Sequence, residues 1–311
     1  MDASLALYAS PFVGSVGNDL DNTIKLCFYL IDKHPADIGV TSQAINGLLY
    51  ISKSYSQLFP SLLLKLLQVI NSSSTYGSDA VECSIRGIGT IVSMDDTFLV
   101  SGVQILLSMI DDENSSDFHK SSAFCALSRI GRKYPALQEK LVPTFISHLE
   151  LKDSQIITKL KEEILIGLGR MAQTSAKLKK QIFPIWIEYC ASSDYKLKSS
   201  AIEGLGHACF VLGNLKHDEI LEENCFEIAS YILQENIENT ENDDILYRIQ
   251  NSVMKCLGFL VRSNFKLWWP KILPIYLSFL QNSKVTSLVK SSIIKNLGKF
   301  VYFQEESSSY L

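Results

Sequence analysis

A chain of 311 residues, 47% hydrophobic and 20% charged, has the makeup of an ordinary folded protein, which excludes general disorder. Its formal net charge of −4 gives no global attraction to nucleic acid or to an anionic membrane, so either would need a local basic stripe. Seven cysteines without a C-x-x-C pair, an N-terminus without a basic leader and no apolar run near the roughly 20 residues of a membrane span predict a soluble cytoplasmic or nuclear protein with reduced thiols.

Residues 1–18 carry no clear pattern, and one repeated unit fills 19–303 as a single array. Its first clear helix is SQAINGLLYIS (42–52), built about Leu48. LFP (58–60) introduces the apolar run SLLLKLLQVI, the polar turn NSSSTYGSD (71–79) follows, and ECSIRGIGTIV (82–92) repeats the pattern about Ile88. FLVSGVQILLSMI (98–110), the turn DDENSSD (111–117) and SSAFCALSRIG (121–131, about Leu127) form the third unit. LVP (141–143) with TFISHLEL leads to EEILIGLGRMA (162–172, about Leu168). IFP (182–184) with IWIEYC leads through SSD (192–194) to SSAIEGLGHAC (199–209, about Leu205).

The acidic stretch QENIENTENDD (234–244) has almost no apolar content and predicts a flexible surface loop, with Thr240 a candidate regulatory position. NSVMKCLGFLV (251–261, about Leu257) follows. LWWP (267–270), whose Trp268 and Trp269 read as core or as an interface anchor, and ILP (272–274) with IYLSFL open the last unit. It closes in SSIIKNLGKFV (291–301, about Leu297) and a polar tail, 304–311. The central residues recur at spacings of 40, 39, 41, 37, 52 and 40, so each unit is predicted to be helix, turn, helix, with one insertion in the sixth.

On a helical wheel of about 100° per residue, the rows three and four before the central residue share its face and are apolar, as in Ile45, Ile85, Phe124, Leu165, Ile202, Met254 and Ile294. The row six before it is polar: Ser42, Glu82, Ser121, Glu162, Ser199, Asn251 and Ser291. The immediate neighbours lie on the flanks and favour Gly, Ala, Ser, Cys or Asn. Such glycines cost about 1 kcal/mol of helix propensity each and are predicted to let adjacent backbones approach, not to cradle a dinucleotide.

The period of about 40 residues, the proline of the first helix and the basic residue seven before the centre (Lys120, Lys161, Lys198, Lys290) resemble the HEAT and armadillo repeat class. Asp194 with Lys198 is the best match to its Asp and basic-residue ladder; Val81 and Gln250 interrupt it. The resemblance implies an all-α, right-handed α-solenoid of about seven helix pairs, with the second helices lining a concave surface. It implies a non-catalytic scaffold for other proteins within a larger complex; the alternatives are a nuclear transport receptor-like cargo binder or a nucleic-acid-binding solenoid.

Arg86, Arg129, Arg170, His207, Lys255, Lys295 and Lys299 stand two before or two after the central residues, opposed there by Glu203 and diluted by Glu82, Glu162 and Glu163. They are the candidate partner-binding groove, suited to acidic or phosphorylated segments of proteins. The net negative charge and few aromatics on that face argue against nucleic acid. Phe300, Tyr302 and Phe303 finish the last helix with no further pair expected to cover them and form a candidate C-terminal interface. The five histidines supply no H-E-x-x-H, no His-Glu dipeptide and no triad arrangement, so no metal, cofactor or catalytic residue is assigned.

Overall fold

The computed structural model describes residues 17–151, 157–210, 218–239, 243–283 and 285–308, and these contain helices and turns but no strand. They fall in two compact units, Met1–Lys133 and Tyr134–Leu311. Three helix pairs make up the first: α1 (Gly17–Lys33) with α2 (Ile38–Ser52), α3 (Phe59–Asn71) with α4 (Ser78–Met94), and α5 (Leu99–Asp111) with α6 (Asp117–Lys133). The second has four: α7 (Gln138–Leu149) with α8 (Ile157–Ala172), α9 (Ala176–Cys190) with α10 (Tyr195–Cys209), α11 (Glu219–Asn239) with α12 (Asp243–Ser263), and α13 (Phe265–Gln281) with α14 (Ser287–Ser308). The fourteen helices are the seven predicted pairs, and every predicted second helix lies inside an even-numbered one.

Local chemistry starts these helices where they start. The Asp37 carboxylate accepts from the Val40 amide at 3.1 Å, Ser175 caps Leu178 at 3.2 Å, Asp194 caps Lys196 at 2.8 Å, and Asn264 caps Leu267 at 3.2 Å. The prolines are placed differently from one first helix to the next. Pro60 stands in the first turn of α3, whereas Pro143, Pro184, Pro270 and Pro274 lie inside α7, α9 and α13. The sixth unit also departs from expectation. Residues 234–239 continue α11, Asp243 and Asp244 open α12, and only 240–242, with Thr240, lie outside the described residues. The longer spacing is taken up largely by two 21-residue helices.

Within each unit the core lies between the two helices of each pair and between successive second helices. Leu48, Ile88, Leu127, Leu168 and Leu257 are 0% exposed, and Leu205 is 1% exposed. Burial of such a side chain contributes about 1.5–3 kcal/mol. In the second unit, aromatic donors tie first helices to preceding second helices at one repeat position. Trp186 Nε1 donates to the Leu165 carbonyl at 3.2 Å, and Tyr276 Oη donates to the Met254 carbonyl at 3.0 Å.

Second helices meet through small residues. A β-carbon on Gly89 of α4 would stand 2.7 Å from Cα of Ala126 in α6, one on Gly169 of α8 would stand 2.7 Å from Cα of Gly204 in α10, and one on Gly206 would stand 2.7 Å from Cα of Cys256 in α12. Each time the residue after one central position meets the residue before the next. The glycines are packing residues, as their spacing predicts. Burial of the row six before the centre follows from the same joint: Ser121, Glu162 and Ser199 are buried, because that row lies only about 20° from the close-approach flank.

Candidate protein-binding face

The seven predicted basic positions fall on second helices, but the two units treat their charges differently. In the second unit Arg170, Arg248 and Lys255 are matched by acids of the same face. Arg170 Nη1 lies 2.7 Å from Glu163 Oε1, Lys255 Nζ 2.8 Å from Glu203 Oε2, and Arg248 Nη2 2.7 Å from Glu162 Oε2. Lys159 adds a contact to Glu162 at 3.6 Å. These residues line a cavity of about 320 Å3 that is almost neutral in sum. Its ion pairs tie helices together, for Lys255 and Glu203 join α12 to α10, and Arg248 reaches from α12 to α8.

His207, expected on the open face, is half-buried. Its Nδ1 lies 3.1 Å from Gln173 Nε2, and its ring centroid lies 4.2 Å from that of Phe259. The lysine expected beside the stripe at 161 is buried, while Lys295 is exposed. Lys299, Phe300, Tyr302 and Phe303 belong to the backbone of α14, but their side chains lie outside the described residues.

The first unit is different. Asn46, Leu49 and Tyr50 of α2, Lys53 just beyond it, Cys83, Arg86, Gly87 and Thr90 of α4, and Arg129 of α6 line a groove of about 410 Å3. Three cations face it and no carboxylate lines it. Arg86 Nη2 leans on Glu82 of its own helix at 3.3 Å, and Glu82 also accepts from Ser122 Oγ at 3.4 Å. Lys53 Nζ stands 5.5 Å from the Tyr50 ring centroid, and among the described residues no carboxylate pairs with Lys53 or Arg129. Burial raises the Cys83 thiol above its ordinary value, with Arg86 acting in the opposite sense, so the thiol stays protonated at neutral pH. The groove therefore offers fixed positive charge, an exposed tyrosine ring and amide and hydroxyl groups, which suits an anionic segment.

Arg86 and Arg129 were legible from spacing. Tyr50 and Lys53 were missed, although Tyr50 stands two after Leu48 in the same row as Arg129 and Arg170, and Lys53 lies about 60° from it on the wheel. Elsewhere the polar core of the second unit holds Trp268, fully buried, whose Nε1 donates to Glu222 Oε2 at 2.7 Å; this tryptophan is core. Cys225 and Cys256 bring their Sγ atoms to 3.2 Å, and burial pushes the Cys225 thiol well up. Among the described residues no group of three or more His, Cys, Asp or Glu side chains is placed to hold a metal ion, and no helix is long and apolar enough to cross a membrane.

No family model and no curated protein matches this chain. A crystal structure of importin beta matches with a TM-score of 0.56 at 13% identity, over 95% of this chain and 43% of that one. The chain thus spans less than half the length of that importin beta, and at this identity the likeness is one of fold. With the seven helix pairs, it makes this protein a HEAT-repeat-like α-solenoid.

Proposed function

We propose that this solenoid binds other proteins without catalysing a reaction on them, and that the groove between α2, α4 and α6 receives an acidic or phosphorylated segment. The observation that carries the reading is the uncompensated charge of Lys53 and Arg129 in a groove that no carboxylate lines, set against the second unit's cavity, where Arg170, Arg248 and Lys255 are paired. Stacked helix pairs suit such a role because they hold an extended surface rigid. The likeness to importin beta supports a cargo-binding receptor over a static scaffold, and it supports a protein that works in the cytoplasm and nucleus.

The test is capture from native lysate with the wild-type chain beside a Lys53→Glu/Arg129→Glu variant of matched circular dichroism, together with anisotropy of a labelled acidic peptide and its serine-phosphorylated form. A partner and a peptide both lost only from the variant are the expected result. Retention of the same partners and no peptide binding would overturn the groove. Nucleic acid captured in place of protein, with affinity falling steeply in salt, would favour the nucleic-acid alternative. For the receptor reading, a tagged chain is expected in both nucleus and cytoplasm.

A further inference from the structure

The interior of the second unit gathers thiols that protein binding does not use. Cys225 of α11 and Cys256 of α12 are both buried, and their Sγ atoms stand 3.2 Å apart although 31 residues separate them in the chain. Cys209 of α10, also buried, hydrogen-bonds to the Cys225 thiol. Gly206 of α10 makes the room for this contact. A β-carbon there would stand 3.1 Å from Cys256 Sγ, so only bare backbone on α10 leaves that sulfur the space it occupies beside Cys225.

We propose that Cys225 and Cys256 are a modification site, a dithiol that hydrogen peroxide converts to a disulfide between the two helices of the sixth pair. One sulfur attacks peroxide and becomes a sulfenic acid, while the O–O bond breaks and a water leaves. The second sulfur then displaces the sulfenic oxygen, which departs as water with the second thiol's proton, and the S–S bond forms. Two electrons pass from the two sulfurs to one peroxide, which ends as two waters. A disulfide holds its sulfurs at about 2.05 Å, so the pair closes by about 1.2 Å, the scale of a side-chain rotation and not of a helix movement. Burial raises the Cys225 thiol, which therefore keeps its proton at neutral pH, and the pair stays reduced until the hairpin of α11 and α12 opens briefly. Once one sulfur is oxidised, the neighbour already in contact traps it faster than a diffusing thiol does. The bond closes a loop that contains the end of α11 and the start of α12, and it constrains the unfolded chain more than the folded one.

The test exposes the full chain to hydrogen peroxide for hours well below its unfolding temperature, quenches in acid, alkylates the remaining thiols under denaturing conditions and maps the peptides without reduction by mass spectrometry. Peptides joined through Cys225 and Cys256 are expected, together with a rise of about 5 °C in the unfolding midpoint that dithiothreitol reverses. Cys225→Ala and Cys256→Ala should each lose the bridge and the rise. Because the rise is read within each variant, before and after peroxide, any change in starting stability leaves the comparison intact. Cys209→Ala should keep the bridge and the rise, and so should the groove variant Lys53→Glu/Arg129→Glu, so loss of the groove reading leaves this one standing. Oxidation of Cys83 with Cys225 and Cys256 still fully alkylated would overturn the proposal. A bridge from Cys225 to Cys209 in place of Cys256 would overturn it equally.

Discussion

Glu222 and Trp268 show how much one pair of side chains sets in the second unit. The carboxylate is 1% exposed and the indole 0% exposed, with 2.7 Å between Oε2 and Nε1. Trp268→Phe keeps most of the apolar volume but removes a donor to a buried charge. It is expected to destabilise the protein by about 1.5–3 kcal/mol, measured as a shift of the urea midpoint. The cysteines make a second prediction. Six are buried, and only Cys83 is partly exposed, so mass spectrometry after brief alkylation of the native protein should find Cys83 labelled first and the other six protected until unfolding. Burial lifts the Cys190 thiol from 9.0 to about 12. Below pH 9 both folded and unfolded chains keep that proton. Above it the unfolded chain releases it and the folded one does not, so stability falls with rising pH by about 1.4 kcal/mol per unit until the folded thiol ionises near 12. Cys190→Ala should flatten the alkaline slope in urea titrations by that share.

Among elements, the same glycine row has opposite consequences at its two ends. A β-carbon on Gly169 would fall against the backbone of Gly204, where helix α10 has no room to give. Gly169→Ala is expected to cost about 1–3 kcal/mol, because the two helices must separate and every side chain between them repacks. Gly298→Ala places the same methyl in open space within a helix, where the lost backbone freedom of the unfolded chain dominates. It is expected to stabilise the protein by about 0.5–1 kcal/mol. Thermal unfolding of the two variants should therefore shift in opposite directions. Equal destabilisation would mean that α14 is already covered on that flank.

For the whole molecule, a net charge of −4 conceals an uneven distribution. Lys255 is engaged with Glu203, so Lys255→Glu is expected to lower stability through like-charge repulsion on α10 and α12 while leaving acidic-peptide affinity unchanged. Lys53→Glu/Arg129→Glu should do the reverse, abolishing peptide binding with little change in the unfolding midpoint. Wild-type affinity should also fall as salt rises past about 0.1 M, where the screening length contracts to about 10 Å. Anisotropy titrations at two ionic strengths check both statements.

Sequence periodicity by itself determined the helix pairs, their central residues and the role of the glycines, because each is a local pattern repeated seven times. It also placed Arg86 and Arg129 on one face. It misread the acidic stretch, since residues 234–239 and 243–244 look like loop in composition but extend two helices. It also treated the stripe as one surface. Only tertiary structure decided which cations are free, because Arg248 reaches Glu162 across 86 residues and Lys255 reaches Glu203 across 52, separations that no wheel of a single helix contains. The exposure of Ile294 and Gly298 was decided in the same way. Their residue types match those of the buried joints, and only the presence or absence of a neighbouring helix among the described residues distinguishes a packed core from an exposed flank.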